Sequence, residues 1–520
     1  MNNKSKEQKD KESNIVNILK IAKRRGFMYP SFEIYGGMSG FYDYGPMGCR
    51  IKKNIEDMIR RYYVVGEGCQ EVECPLLSPE EVWIASGHIK NFSDAIAECE
   101  KCGEPYRADH LIEDLCDINC DGMSLENMQE IICGEDKSEN ESEGESKSKR
   151  SPLKCPKCGG NFKEIYAYNL MFGTEVGPGS YKKAGYLRPE TAQMTYISFN
   201  RLWEYARRKL PFGVLQIGKS FRNEISPRQG MIRLREFNQA EVQFFVDPSE
   251  KSWENFNRFS KISVIPVKIL TKDAKDDNDN LGEPVIMTIG EAVSGGVIED
   301  EKIAYFLGLS VDLFCRMGLD RERLRLRQHR DSERAFYSSD TWDVEYMSPL
   351  FGRIEIVGVS NRSDYDLGAH QKLSGENMRV NYNGRKFIPH VIEVAYGIDR
   401  PFYCAVESCY REDERGCFFS FPKYIAPYFA CVFPLVKKDG IDERAREVFN
   451  ELTSRGFYVL YDKSGSIGRR YARADEVGIP YCVTVDYDTL KDNTVTVRER
   501  DTKDQERVDV SELADFLAGR

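Results

Sequence analysis

Apolar residues along this chain alternate between a helical and a strand period, which predicts a mixed helix-and-sheet protein. Ile15, Ile18, Leu19 and Ala22 share one face with basic residues opposite, predicting an amphipathic helix over Ile15 to Arg25. A Gly- and Tyr-rich turn from Tyr35 to Gly48 precedes a second helix from about Arg50 to Tyr63, then a short strand ending at Pro75. Gly218 to Phe245 reads as two antiparallel strands joined by a polar loop holding Pro227 and Gly230. On its second strand, Leu234, Ala240, Val242 and Phe244 can be buried, while Arg233, Arg235, Phe237, Gln239, Glu241 and Gln243 alternate with them on the other face. Arg233 to Glu241 would span roughly 26 Å, at about 3.3 Å per strand residue. From Asp247 to about Leu319 the pattern suggests an inserted small α/β lobe, with the breaker-rich acidic loop KDAKDDNDNLGEP and a helix over Asp300 to Met317. A strand within Arg321 to Arg330 aligns Arg323, Arg325 and Arg327, either as a phosphate- or RNA-facing edge or as a solvated face. From Tyr424 onward, strand-like Phe429 to Val436, Phe457 to Tyr461, Tyr481 to Val485 and Thr494 to Arg498 are interleaved with helices over Asp442 to Ser454, Ile467 to Val477 and Val510 to Leu517, a separate α/β unit.

A charged strand face with one aromatic in its middle suits a nucleotide better than a core. Arginines take phosphate oxygens bidentately, and a phenyl ring can lie under a purine. At 520 residues, two or three domains are expected. No apolar run approaches the roughly 20 residues of a membrane span. The polar start, MNNKSKEQKDKESN, lacks an apolar signal core and is expected to be a short disordered lead. A net charge of -10 argues against a nonspecific nucleic-acid coat but leaves local basic patches able to bind RNA. In the last unit, 15 Lys/Arg face 18 Asp/Glu from Ala426 to Arg520, so any RNA contact must come from a face such as Arg469, Arg470 and Arg473. Sixteen cysteines without a signal predict reduced thiols and a cytoplasmic protein. Cys99-x2-Cys102 and Cys155-x2-Cys158 have the spacing that offers a tetrahedral Zn2+ two ligands per turn. The long insert between them includes the charged segment 134–150, which can loop out. Four reduced thiols are the plainer reading, and Cys116, Cys120 and Cys133 are alternative ligands.

Phe221-Arg222-Asn223-Glu224, a loop, and then Arg233-x3-Phe237-x3-Glu241 resemble motif 2 of the class II aminoacyl-tRNA synthetases. The wording RNEISPRQGMIRLREF is similar to glycyl-tRNA synthetases of the archaeal and eukaryotic dimeric type. Tyr42-Asp43-Tyr44-Gly45-Pro46 resembles motif 1, and Glu393-Val-Ala-Tyr-Gly397-Ile-Asp-Arg400 resembles motif 3. Trp83 to His88, Asn169 to Pro178, and Arg188-Pro-Glu190-Thr-Ala-Gln193 also match; His88, a lone histidine, is assigned no chemistry. The resemblance implies an α+β chain in four parts. These are a tail and helix over 1–28, a class II antiparallel-sheet catalytic domain over 29–425, insertions at 98–165 (Cys-rich, zinc-ribbon-like, with the acidic loop 134–150) and 247–319, and an α/β anticodon-binding domain over 426–520. It also implies a homodimer, because motif 1 lies at the class II dimer interface.

The same resemblance supplies the site. Arg222 would bridge the substrate carboxylate and the α-phosphate of ATP, Arg233 and Arg400 would hold the γ-end, and Phe237 would stack the adenine with Arg400 capping its other side. Glu224 would sit near the adenine amino group or the tRNA terminus, and Glu355 would orient Mg2+. Arg222, Glu224 and Arg400 form the implied catalytic set. Glu190, Glu241 and Glu393 would grip the glycine ammonium, with Arg188, Arg362 and Ala395 beside them. The implied reaction is ATP-dependent activation of glycine and transfer to tRNA(Gly). Several positions depart from the family wording: Met194 ends RPETAQM, Val394 and Ala395 stand where Pro and Ser are usual, and Phe336 to Asp343 and Gly352 to Glu355 have changed. These leave open a paralogous ligase for another small amino acid, and a noncatalytic tRNA-binding protein is the alternative of a different class.

Overall fold

The computed structural model describes residues 17–519 except 117, 119, 121, 135–150, 228, 229, 259, 275–281, 332, 336 and 415. The expected disordered lead and nearly all of the acidic loop lie outside these residues, as does the start of the N-terminal helix, which is helical over 17–24.

The centre is a nine-stranded sheet. Its strands in chain order are β1 (Gln70–Val72), β2 (Phe212–Phe221), β3 (Glu236–Val246), β4 (Pro266–Leu270), β5 (Val285–Thr288), β6 (Leu324–Gln328), β7 (Asp340–Ser348), β8 (Gly352–Ser363) and β9 (His390–Gly397). In space they run β5-β4-β6-β7-β8-β9-β3-β2-β1, antiparallel except where β4 meets β6 and β2 meets β1. Three helices cover one face: α1 (Pro46–Arg60), α2 (Glu301–Arg316) and α3 (Asp399–Cys409). Proline at the start of α1 needs no N–H partner, and the helix buries Ile51, Ile55, Met58 and Ile59 as one stripe. Gly48 is required there, because a Cβ would lie 1.8 Å from the Phe27 carbonyl oxygen. Helix α2, capped by Asp300, is buried on most sides, in line with its mixed apolar composition. Val242, Phe244, Val344, Val394 and Tyr396 point from the strands into this layer, so the alternating polar residues are left on the opposite face.

Three expectations change. The hairpin forms, with Phe237 paired to Ser220 and Glu241 to Gln216, but β3 begins only at Glu236. Arg233 and Arg235 belong to the loop, so the extended run from Arg233 is shorter than the strand pattern suggested. The 247–319 segment does contain helices and strands, yet it does not stand apart: β4 and β5 extend the central sheet, and Val267, Ile269, Ile289 and Ile303 join its core. Strand β6 lies inside the sheet, where Arg325 pairs with Glu345 at 2.6 Å and Arg327 with Glu333 at 2.5 Å, so these arginines hold strands together rather than face RNA.

The Cys-rich segment forms its own three-stranded sheet from Ser93–Glu98, Pro105–Arg107 and Tyr166–Asn169, with two short helices and a separate apolar cluster. The C-terminal unit has strands β10 (Ala430–Pro434), β11 (Val459–Tyr461), β12 (Tyr481–Val485), β13 (Thr494–Glu499) and β14 (Gln505–Asp509), ordered β11-β10-β12-β13-β14. Strand β14 escaped the sequence pattern because QERVD buries only Val508. Of the basic trio, only Arg469 is exposed: Arg470 is buried, its guanidinium donating to the Pro434 and Leu435 carbonyls, and Arg473 pairs with Asp462 at 2.6 Å.

Candidate active site

The polar face of the sheet is organised in rows across neighbouring strands. Phe237 stands beside Ser220. Gln239 lies between Gly218 and Gly397. Glu241 lies between Gln216 and Ala395, and Ala395 in turn pairs with Gly358. Gln243 stands beside Glu393, which pairs with Ser360. The aromatic end and the acidic end are thus separated by a saddle of very small residues. Val394 points into the core at 0% exposure, so of the two changed positions only Ala395 faces the site. Met194 is buried in an apolar cluster with Val82, Trp83 and Met171.

At the acidic end Glu190, Glu241 and Glu393 are all buried around Arg362. Arg362 donates to Glu393 at 3.0 Å and to Asp366 at 2.7 and 2.9 Å, and lies 3.7 Å from Glu190. Tyr337 covers its guanidinium at 3.8 Å from the ring centroid. Glu241 accepts from the Thr191 backbone at 3.0 Å, its hydroxyl at 2.6 Å and the Gln239 amide at 3.0 Å. Gln193 joins Glu190 to Asp366 at 2.9 and 2.8 Å, and His370 holds the Gln193 carbonyl at 2.8 Å. Burial and then the charges of Glu393 and Glu190 push the Glu241 carboxyl up to about 8, against the Thr191 hydrogen bond and Arg362. Burial raises Glu393 as well, with Arg362 opposing. Glu190 goes the other way: His88 and Arg362 outweigh burial and hold it well below the usual carboxylate range. Arg362 is therefore within ion-pair distance of three acids, Glu190, Asp366 and Glu393, with Glu241 a fourth carboxyl beside them and Arg188 at the edge, an arrangement in which acids outnumber cations.

His88, to which no chemistry is assigned, borders this pocket. It is buried, with Nδ1 2.8 Å from the Ser86 hydroxyl and Nε2 3.5 Å from Glu190, so it forms part of the pocket wall. Asp366, Gln193 and Tyr337 were also not singled out. The spacing of Arg362 and Asp366, four residues apart, was the one signal that could have suggested a pair. Arg188 braces the pocket edge, donating to the Lys219 and Cys74 carbonyls at 2.8 and 3.0 Å, and its second terminal nitrogen lies where a Cβ on Gly218 would sit.

At the aromatic end the Arg222 guanidinium lies 5.3 Å from the ring centroids of both Phe237 and Phe92, and its Nε donates to the Pro189 carbonyl at 3.3 Å. Glu224 is buried and reaches Arg233 at 3.9 Å. Arg400 Nη1 donates to the Glu355 carbonyl at 2.9 Å and its carboxylate at 3.1 Å, and Nε to the Ile232 carbonyl at 3.2 Å. The neighbouring Asp399 accepts from the Asn238 backbone and side chain at 2.6 and 2.8 Å and from the Tyr44 hydroxyl, tying the three motif-like segments together. Glu355 is half exposed; desolvation opposes its charge, but Arg400 and His329 hold its carboxyl below the usual range. Burial and then Glu355 push Asp343 up to about 7, while its 2.7 Å bond to His329 pulls down. A Cβ on Gly358 would lie 3.6 Å from Asp343 and 3.8 Å from Glu355, so the glycine leaves two acid oxygens facing a shared gap. Two carboxylates are the donor type from which Mg2+ is held when phosphates and water complete its shell.

In the Cys-rich lobe the sulfurs of Cys99, Cys102, Cys155 and Cys158 all lie within 4.8 Å of one another, and Cys116, Cys120 and Cys133 are not in the group. Gly160 leaves the space, since its Cβ would fall 3.1 Å from the Cys99 sulfur and 3.4 Å from that of Cys158. Four convergent thiols on two tight turns fit tetrahedral zinc.

Residues 180–409 match the model of the tRNA synthetase class II core domain (G, H, P, S and T), and 430–520 that of the anticodon binding domain. Among solved structures, the chain aligns with one described as the RNA binding domain of threonyl-tRNA synthetase from Cryptosporidium parvum (TM-score 0.57, 17% identity, 96% of this chain and 97% of that one). It also aligns with the prolyl-tRNA synthetase of Giardia lamblia (TM-score 0.57, 14% identity, 98% and 75%). Sheet, helices and domain models together define a class II aminoacyl-tRNA synthetase. The glycine–tRNA ligase of Methanocaldococcus jannaschii is 42% identical over 97% of this chain and 98% of its own, and that of Pyrococcus horikoshii 40% over 95% and 96%. The chain belongs to the glycine–tRNA ligase family. No helix among the described residues is long and apolar enough to cross a membrane.

Proposed function

We propose that this protein activates glycine with ATP and transfers it to the 3′ end of tRNA(Gly). The observation that carries this reading is the pocket in which Glu190, Glu241 and Glu393 crowd one arginine, a site that gains from a small added cation.

Activation needs no protein nucleophile. A glycine carboxylate oxygen attacks the α-phosphorus of ATP in line, the bond to the bridging oxygen breaks, and pyrophosphate leaves, so the protein's work is positioning and charge stabilisation. Phe237 stacks the adenine and Arg400 caps it. Arg222 bridges the carboxylate and α-phosphate, bringing the two reactants together. Arg233 and Arg400 take the γ-end, and Glu224 sits by the adenine amino group or the tRNA terminus. Glu355, with Asp343 facing it across Gly358, would hold Mg2+, which neutralises charge on the phosphates. Glu190, Glu241 and Glu393 hold the ammonium, Arg362 and Arg188 brace them, and Ala395 leaves the floor bare. The hydroxyl of the tRNA terminal adenosine then attacks the glycyl carbonyl of the adenylate, the bond from that carbonyl to the phosphate oxygen breaks, and AMP leaves as the glycyl ester forms. Cys99, Cys102, Cys155 and Cys158 would bind a structural Zn2+ that fixes the lobe beside the site. The working assembly is a cytoplasmic homodimer formed through the Tyr42–Pro46 element and α1.

The test is amino-acid-dependent ATP–pyrophosphate exchange with each of the twenty amino acids. Exchange with glycine alone is expected; exchange with a different amino acid, or none, would overturn the reading.

A further inference from the structure

Gln239 occupies the saddle between the adenine end and the acidic end, and its surroundings are unusual. Both strand neighbours are glycines, Gly218 on β2 and Gly397 on β9. The Gly218 side is filled by Arg188, whereas a Cβ on Gly397 would meet only Arg400 Cδ, at 3.9 Å. Gln239 is 7% exposed, and its amide nitrogen donates to Glu241 Oε1 at 3.0 Å. Its carbonyl Oε1 is buried and has no hydrogen-bond partner among the described residues. A buried acceptor left without a donor is costly, and a native site seldom tolerates one unless a ligand supplies the donor.

We infer that Gln239 is a further amino-acid-binding residue, accepting one N–H of the substrate ammonium on Oε1 while its amide nitrogen holds Glu241 in place. This rests on the glycine-activating reading above. The ligand groups over this saddle limit the choice of donor. Phosphate and carboxylate oxygens only accept, so the donor is either a ribose hydroxyl or the ammonium. The Gln239 amide is planar and its nitrogen is already committed to Glu241. Its oxygen is therefore held beside the carboxylate, where a cation can touch both. With Glu241 ionised around the bound ammonium, the orientation is also set by charge, because the reversed amide would turn its oxygen toward a carboxylate that only accepts. The Gln239 amide thus holds the same Glu241 carboxyl that Glu393, Glu190, Arg362, Arg188 and Thr191 face.

Steady-state ATP–pyrophosphate exchange on the full chain, varying glycine and ATP separately, tests the assignment with Q239M and Q239E. Met keeps the length without either polar atom; Glu keeps an acceptor but loses the donor and adds a like charge beside Glu241. Each variant is expected to raise the KM for glycine roughly tenfold or more, Q239M by losing a hydrogen bond to a charged group and Q239E by losing the donor that holds Glu241 and setting a like charge beside it. The KM for ATP should stay within about twofold. A glycine KM that does not move in a folded variant overturns the inference. So does a rise confined to ATP, which would assign Oε1 to the ribose. Should Q239M not fold, Q239L, which also lacks both polar atoms, carries the same comparison. If the unaltered enzyme shows no glycine-dependent exchange, it is the proposed function that fails, before either variant is measured.

Discussion

Two acid clusters share one sheet face, and they differ in how far they reach water. The Glu190–Glu241–Glu393–Asp366 group is buried throughout, threaded by Arg362 and closed by Tyr337. In the Asp343–Glu345–Glu355 group Asp343 and Glu345 are just as buried, but Glu355 is half exposed, and Arg353 and Arg400 reach the group from the surface while Arg325 pairs with Glu345 inside the sheet. A cation entering the first must be desolvated, whereas one meeting Glu355 can keep part of its water. The lesson is that a single exposed carboxylate, not acid count, decides whether a cluster of acids is closed or open to solvent.

The contrast can be broken most forcefully at Arg362. Arg362→Met leaves three buried acids without their guanidinium and should cost about 3–5 kcal/mol of stability. Thermal unfolding would register this, and a variant as stable as the parent would mean the acids are already protonated. At the open rim, Glu355→Gln should leave unfolding unchanged but lower kcat for exchange about 100- to 1,000-fold, as loss of one electrostatic stabiliser does. A shift toward higher Mg2+ requirement in the same assay would tie the loss to the metal.

A third, smaller effect is in pH. Burial and its acid neighbours push the Glu241 carboxyl up to about 8, and under the proposed function it must be ionised to hold the ammonium. Its raised value means a proton has to leave on binding below that pH, so the glycine KM should fall about tenfold per unit as pH rises toward 8 and level off above it. A flat profile would show that Glu241 is ionised throughout. The smallest expected change is at Ala395→Ser. A hydroxyl beside Glu241 adds at most one hydrogen bond to the bound glycine and should shift its KM by no more than about tenfold, leaving the ATP KM alone.

Legibility differed between the same two ends of the face. Phe237, Glu241 and Arg400 lie within short local patterns, a strand alternation and a strand–turn–helix, so their placement could be read from neighbours in the chain. The partners of Arg362 could not. Glu190 and Glu393 approach it from distant segments, and His88 comes from a third, where a lone histidine gives no signal. The arginines of β6 looked like an RNA edge because the pattern shows that side chains share a face but not what lies across it; the facing carboxylates belong to β7 and the loop after β6.

The chain's own order of residues therefore determined most of the strands and longer helices, the motif-like segments and the pairs of thiols, since each depends on contacts a few residues apart. Tertiary structure alone decided that the 247–319 strands extend the central sheet, that Val394 faces inward while Ala395 faces the site, and that Gln239 lies in a glycine-lined gap. Periodicity sets which residues share a face. Only the packing of distant strands determines whether that face meets water, a helix or a ligand.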